Sequence, residues 1–161
     1  MDVLQKARDL YQKGEMHDAL EAAQIACERQ PKDAEAWWLL GCVSRYTQMP
    51  AASETAFQRA AQLSRKKVRP HRLSQPEFES MVQAALGGLS PDALRRLKDA
   101  RVEVDGLPSI ESIRAGLAPD ALSSRNREAG DRLTIYQINH ENRAASESEL
   151  RGLLARTLSR A

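Results

Sequence analysis

The chain has 161 residues, of which 42% are hydrophobic, 29% are charged and only 4% are aromatic, and its net charge is +2. This composition is that of a globular protein rather than a disordered one, and the abundance of Ala and Leu favours helix. No apolar run reaches the roughly 18 residues of a membrane span, and Met1 leads into an amphipathic segment rather than a signal peptide. We therefore expect a cytoplasmic protein whose cysteines, Cys27 and Cys42, are reduced thiols.

The charges are unevenly distributed along the chain. Residues 1–64 carry seven positive and nine negative side chains, residues 65–72 carry five positive and none negative, and residues 73–161 carry one net negative charge. Five cations can contact a few phosphates, but no aromatic residues lie between them to stack on bases. We interpret residues 66–73 as a solvated basic linker between two domains and do not expect nucleic-acid binding.

A 34-residue repeat organises the first domain, residues 1–65. Ala7, Gly14, Ala19, Ala26 and Pro31 fall in register, one period later, with Gly41, Gln48, Ser53, Ala60 and Arg65. Helical periodicity covers residues 2–13, 17–30, 34–47 and 51–65, with breaks at Gly14, Pro31–Asp33 and Pro50. Each copy is therefore predicted to be a helical hairpin. The second copy, "AEAWWLLGCVSRYTQMPAASETAFQRAAQLS", also contains Trp37, Leu40, Gly41, Phe57 and Ala60, and it resembles a tetratricopeptide repeat.

This resemblance implies a groove that receives an extended peptide or a helix of a protein partner. The first helix of each hairpin would line it with these residues: Arg8, Tyr11, Gln12, Trp38, Cys42, Arg45 and Tyr46. Aromatic and arginine side chains often anchor interfaces, although Trp38 and Tyr11 would equally serve to pack against the next hairpin. Leu4, Arg8 and Leu39 stand where the family's clamp for chaperone tails has Lys and Asn, so we do not expect chaperone binding.

The second domain, residues 74–161, begins with two capped helices. Ser74 and Glu77 form a capping box for a helix that ends at Gly87-Gly88, and Ser90 caps a second helix that starts with Pro91. Alternating residues then predict two strands, "RVEVDGLPS" and "DRLTIYQIN", separated by a loop-rich stretch up to Gly130. A capping box of Ser146 and Glu149 starts the terminal helix.

Four segments of this domain, "PEFESMVQAAL", "LSPDALRRL", "VEV" followed by Pro108, and "GDRLTIYQ", resemble a small zincin-like metallopeptidase family of bacteria over roughly residues 73–158. In that family the terminal helix ends in a "TLLHEIGH"-like zinc motif, whose first two positions match Thr157 and Leu158. Arg160 stands at the first zinc ligand and Ala161 at the catalytic Glu. Two His one turn apart and a Glu are what such a site needs to hold zinc and activate water.

We accordingly expect no catalytic residue, metal ligand or cofactor in this chain. The three histidines, His17, His71 and His140, are dispersed, and we interpret Asp131 and Glu141 as solvated charges at the ends of a strand. The expected fold is mainly α, with two tetratricopeptide-type helical hairpins followed by a small α+β zincin-like domain that is incomplete at its C-terminus.

Two functions remain open. The first is a non-enzymatic interaction protein whose hairpins bind a protein or peptide, while the pseudo-metallopeptidase half covers an end of the hairpins or binds chains, for instance as an added strand beside Leu133–Ile138. The alternative is a zinc metallopeptidase whose catalytic C-terminal segment is truncated, in which case DNA downstream of Ala161 encodes the zinc motif. Leu150, Leu153 and Leu154 would then lack part of their core and form an exposed patch suited to self-association.

Overall fold

The computed structural model describes residues 2–128 and 130–161. Within these residues nine helices and three strands are present. Their bounds are α1 Val3–Gln12, α2 Met16–Arg29, α3 Ala34–Tyr46, α4 Pro50–Leu63, α5 Gln75–Gly87, α6 Pro91–Arg96, β1 Arg101–Asp105, α7 Ile110–Arg114, β2 Ser123–Asn126, β3 Arg132–Tyr136, α8 Gln137–Glu141 and α9 Glu147–Arg160. The chain is mainly helical with one small mixed sheet, so the predicted class of a mainly α protein with a small α+β part is confirmed. In the described part of the chain, no helix combines the length and apolar character that crossing a membrane requires.

The chain divides into two compact units. Residues 1–70 and 109–119 form the first, here called the hairpin unit, and residues 71–108 and 120–161 form the second, the sheet unit. The first unit thus contains an eleven-residue segment, Ser109–Pro119, that lies far along the chain from the helices it joins. The predicted domains, 1–65 and 74–161, assign that segment to the second half.

In the hairpin unit, α1 pairs with α2 and α3 pairs with α4, and both turns follow from local sequence. Gly14 adopts φ +82° between α1 and α2, a left-handed conformation that glycine reaches without steric cost. Gly41 serves a different purpose, because a Cβ there would lie only 2.6 Å from a ring carbon of Phe57. The absent side chain lets α3 and α4 approach closely, and Ser53 Oγ donates a 2.6 Å hydrogen bond to the Gly41 carbonyl at this crossing.

In the sheet unit, β3 is the central strand. It pairs in parallel with β1, where Val102 lies opposite Leu133, and antiparallel with β2, where Ser124 lies opposite Thr134. Both edges of β3 are therefore used, and the predicted addition of a partner strand beside residues 133–138 is wrong. The remaining edges of the sheet belong to β1 and β2.

The helix caps of the sheet unit agree with the sequence. Ser74 and Glu77 form both bonds of the predicted capping box, and Ser90 accepts a bond from Ala93 N. Ser146 accepts from Glu149 N at 3.2 Å, but the Glu149 carboxylate accepts from Ala145 N rather than from Ser146 N. The predicted bond from the N-cap backbone N–H to the Glu149 carboxylate is therefore replaced by one from the preceding residue, Ala145.

Three expectations for the sheet unit differ from the structure. The strand expected over "DRLTIYQIN" ends at Tyr136, and the next residues form α8, whose polar side chains bond to distant parts of the unit. The loop-rich stretch expected before Gly130 contains β2. Of the three leucines considered above as an exposed patch, Leu150 and Leu154 are fully buried in one core with Phe78 and Val82, and Leu153 is half-buried, so no such patch is formed. Self-association stays a prediction.

Candidate functional site

The predicted partner-binding residues lie on α1 and α3 of the hairpin unit, on what we call the inner face. Tyr11 and Cys42 are buried in its core, 5% and 7% exposed, while Gln12 is exposed. The Tyr11 and Tyr46 rings meet edge to face with centroids 6.2 Å apart. At this end of the inner face α1 and α3 are thus joined by an aromatic contact.

The aromatic end of the inner face is covered by residues 109–119. Ile113, on α7, is 3% exposed and belongs to the same core cluster as Tyr11, and Ile110 packs against that cluster. The Tyr46 hydroxyl donates a 3.0 Å hydrogen bond to the carbonyl of Pro119. The segment therefore makes both apolar and polar contacts with residues predicted to bind a partner.

Gly14 and Ser109 explain how this segment fits. Both isoleucines lie beside the turn at Gly14, since a Cβ there would be in ordinary van der Waals contact with Ile113 Cγ2 at 3.4 Å and Ile110 Cγ2 at 3.6 Å. Glycine is favoured at this position by its φ of +82°. Ser109 caps α7 by accepting a 3.1 Å bond from Ser112 N. The sequence analysis missed this helix, although Ser109 and the Ile110–Ile113 spacing are its local signals.

The other end of the inner face is a charged and aromatic cluster. Trp38 lies 4.8 Å from the Phe57 ring, centroid to centroid, and Lys67 Nζ lies 4.9 Å from the Trp38 ring centroid. Lys67 also forms a 3.0 Å ion pair with Glu35, which Arg8 approaches to 3.8 Å. Lys67, predicted to be a solvated linker residue, is instead tied to the hairpins by a cation–π contact and an ion pair.

Arg45 completes the predicted set. Its guanidinium forms a 2.7 Å ion pair with Glu54 of α4, in the same hairpin. The arginine Nε is buried and has no hydrogen-bond partner in the described part of the chain. Residues 109–119 thus cover the Tyr11–Tyr46 end of the inner face, and Lys67 lies over the Trp38 ring at its other end. That these seven residues bind a partner stays a prediction.

The sheet unit holds a buried histidine in a fixed hydrogen-bonding environment. His140 is fully buried, with Nδ1 2.8 Å from the Tyr136 carbonyl and Nε2 2.9 Å from Thr157 Oγ1. Because a carbonyl only accepts, Nδ1 carries the proton and Nε2 is the acceptor. The Thr157 hydroxyl, whose one proton is shared between Nε2 and the Leu153 carbonyl at 3.1 Å, is the donor that faces it. Burial lowers the pKa of His140 to about 4, more than the bond to Tyr136 raises it, and nearby Arg143 lowers it further. The imidazole is thus neutral at pH 7 and has both nitrogens engaged.

The two carboxylates flanking β3 are each paired with an arginine. Glu141, predicted to be solvated, is 2% exposed and accepts bonds from Arg72 Nη1 at 3.2 Å and Leu73 N at 2.9 Å. That prediction is wrong, because the Glu141 carboxylate is buried with these donors. Asp131 accepts two bonds from Arg125, at 2.9 and 2.6 Å, and this pairing lowers the pKa of the Asp131 carboxyl.

The zinc that the metallopeptidase resemblance implies has no fitting ligand set at the end of α9. The side chains there are Ser159, Arg160 and Ala161, of which none offers an imidazole or a carboxylate. Elsewhere in residues 2–128 and 130–161, no three His, Cys, Asp or Glu side chains are grouped so that they could hold a metal ion.

No match was found. Comparison with protein-family models, with curated proteins and with solved structures returns nothing similar to this chain. The two family resemblances therefore rest on the residues quoted for them.

Proposed function

We propose that this chain is a non-catalytic, cytoplasmic protein-interaction module, in which the inner face of the hairpin unit binds a short helical segment of a partner protein. The observation that supports the proposal is the presence of residues 109–119 on this face. They lie outside the repeated hairpins, yet Ile113 is buried among hairpin residues. A segment that is not part of the repeat occupies the surface where the tetratricopeptide resemblance implies a ligand.

The contacts of residues 109–119 indicate what a partner segment would present. Ile110 and Ile113 lie three residues apart on one side of a single helical turn, and Pro119 offers a carbonyl to the Tyr46 hydroxyl. An amphipathic helix with aliphatic residues at i and i+3 satisfies the same contacts. A five-residue helix is not stable by itself in water, so such a segment gains its structure from the hairpins.

The chain's own segment competes with any such partner. A tethered ligand acts at an effective concentration of about millimolar order, so it lowers the apparent affinity for a free peptide. A partner binds tightly only where it makes more contacts than residues 109–119, or where those residues are released. Weakening the internal segment should therefore expose the binding activity.

The test uses the labelled peptide SIESIRAGLAP, which reproduces residues 109–119, and fluorescence anisotropy. We expect the Ile113→Ser protein to bind it at least tenfold more tightly than the wild-type protein, in which the site is already filled. Adding Tyr46→Phe to Ile113→Ser should weaken binding roughly three- to tenfold, which is the effect of losing about one hydrogen bond. A peptide with Ser in place of its second Ile is the matched control and should not bind.

The Ile110→Ser protein, altered at a half-buried position, provides a second measurement in case Ile113→Ser does not fold. Far-UV circular dichroism establishes that each protein retains its helix content. If both folded variants fail to bind the peptide, the inner face is not a ligand site. Cleavage of the peptide by the zinc-supplemented protein, abolished by chelation, would contradict the non-catalytic part of the proposal.

A further inference from the structure

The outer strand β1 of the sheet unit presents an unused edge. It pairs with β3 on one side, and within the described residues no strand pairs with its other side. Arg101 N donates a 2.8 Å bond to the Asp131 carbonyl, on the β3 side. Because successive residues of a strand direct their N–H and C=O groups to opposite sides, those of Val102 and Val104 point to the free edge.

A groove of about 670 Å³ runs between this edge and α5. The groove has the size of a ligand-binding cleft, and five paired residues would span about 16 Å of strand. Its lining is mixed: Val102 and Val104 contribute apolar surface, and Ser80 and Gln83 contribute polar groups. An exposed edge beside such a groove provides both requirements for adding a strand, which are backbone hydrogen bonds and side-chain contacts.

The rim of the groove is acidic. Glu79, Glu103 and Asp105 line it, and its lining contains no Lys or Arg. Glu103 is approached by Arg101 at 3.8 Å and by Arg132 at 3.6 Å, but both ion pairs are exposed and neutralise it weakly. The Glu79 carboxylate accepts a bond from Gln75, which leaves its charge in place.

This charge selects between two kinds of strand that could pair with β1. A second copy of the chain would bring one acidic rim against another, and like charges across a strand pair are destabilising. Charged side chains at a sheet edge are a common protection against such self-pairing. A basic segment avoids this repulsion and gains attraction from all three carboxylates.

We propose that the free edge of β1 adds an extended, lysine- or arginine-bearing segment of a partner protein as a fourth strand. The segment lies in the groove beside α5, bonds to the backbone of Val102 and Val104, and places its basic side chains against Glu79 and Asp105. This site is independent of the inner face of the hairpin unit.

The probe is the blocked peptide Lys-Val-Lys-Val-Lys, titrated into the full chain at about 50 mM salt. We expect saturable binding that weakens at least tenfold in the Glu79→Gln/Asp105→Asn protein, and no binding of the matched peptide Glu-Val-Glu-Val-Glu. Glu28→Gln, which removes an exposed carboxylate on α2 of the hairpin unit, should leave the affinity unchanged.

Backbone methylation of the peptide distinguishes strand addition from simple charge attraction. Two versions of the peptide carry N-methyl groups on alternate residues, in opposite registers, so that one blocks the N–H groups facing β1 and the other leaves them intact. Only one register should bind, with the other losing at least tenfold. Equal binding by both registers would overturn the proposal, as would dimerisation of the protein through β1 seen by sedimentation.

Discussion

Gly41→Ala tests the close crossing of α3 and α4. The added Cβ would lie 2.6, 2.7 and 2.9 Å from three ring carbons of Phe57, closer than such atoms pack. Phe57 has no exposed surface and has Trp38 beside it, so the ring has little room to move. Overpacking of this kind costs about 1–3 kcal/mol, whereas alanine restores about 1 kcal/mol of helix propensity. Because all three contacts are under 3 Å, we expect a net loss of about 1–2 kcal/mol.

Urea unfolding followed by tryptophan fluorescence measures this loss where it occurs, because Trp37 and Trp38 both lie on α3. With an m value of about 2 kcal/mol/M, the unfolding midpoint should fall by roughly 0.5–1 M. Gly87→Ala is the matched control, since a Cβ there meets nothing within 4 Å. Followed by circular dichroism, the Gly87→Ala protein should be as stable as the wild type or up to about 1 kcal/mol more stable.

Combining Gly41→Ala with Phe57→Leu identifies the cause. The smaller side chain makes room for the alanine, so the double variant should be less destabilised than the sum of the single variants by about 1 kcal/mol. Additive effects would refute the assignment of the clash to the Phe57 ring. A Gly41→Ala protein at least as stable as the wild type would refute the claim that this crossing depends on glycine.

Three further predictions concern buried polar groups. Glu141→Gln removes the charge that faces Arg72 and should destabilise the protein by about 2–4 kcal/mol in urea unfolding; a loss under 0.5 kcal/mol would contradict the buried pair. His140 has a pKa of about 4 in the folded protein, so as the pH falls the histidine of the unfolded chain binds a proton before that of the folded protein. The free energy of unfolding is therefore highest above pH 6.5 and decreases towards pH 4. Between pH 6.5 and 5 this loss is about 1.5 kcal/mol, and it should be absent in the His140→Gln protein measured in parallel. Burial raises the pKa of Cys27 to about 12, so this thiol stays protonated and unreactive in the native protein at pH 8. In the Cys42→Ser protein, where Cys27 is the remaining cysteine, it should react with a disulfide reagent only after unfolding in urea. Rapid reaction of the native protein would show that the thiol is accessible.

The helical framework could be predicted from the sequence because its signals are local. Ser74, Ser90 and Ser146 each precede a helix by one residue and cap it with their own hydroxyl, which residue type and spacing reveal. Gly14 likewise marks a turn through its own backbone conformation. Such features depend on neighbours within four residues along the chain.

The failures occur where distant contacts decide the conformation. Ile138 follows the alternating pair Leu133 and Ile135 after three residues rather than two, and the strand predicted to include it ends before it. Asn139 instead bonds to the Ala121 carbonyl, and His140 to Thr157, in a helical turn. No local pattern encodes these partners. The inner-face residues likewise follow from their positions in the 34-residue repeat. That residues 109–119 cover them could not be predicted, because those contacts join residues about a hundred positions apart in the sequence.

The interrupted make-up of the hairpin unit has a consequence during synthesis. Residues 1–70 leave the ribosome before residues 109–119 are made, and at about 5–20 residues per second the intervening stretch takes on the order of seconds. Helices form within about a microsecond, so α1 to α4 are folded seconds before Ile113 is synthesised, and Tyr11 and Tyr46 are uncovered until then. During that interval the uncovered end can accept the same segment from a neighbouring chain whose residues 109–119 are already made, and polysomes are where domain-swapped dimers of the protein would originate.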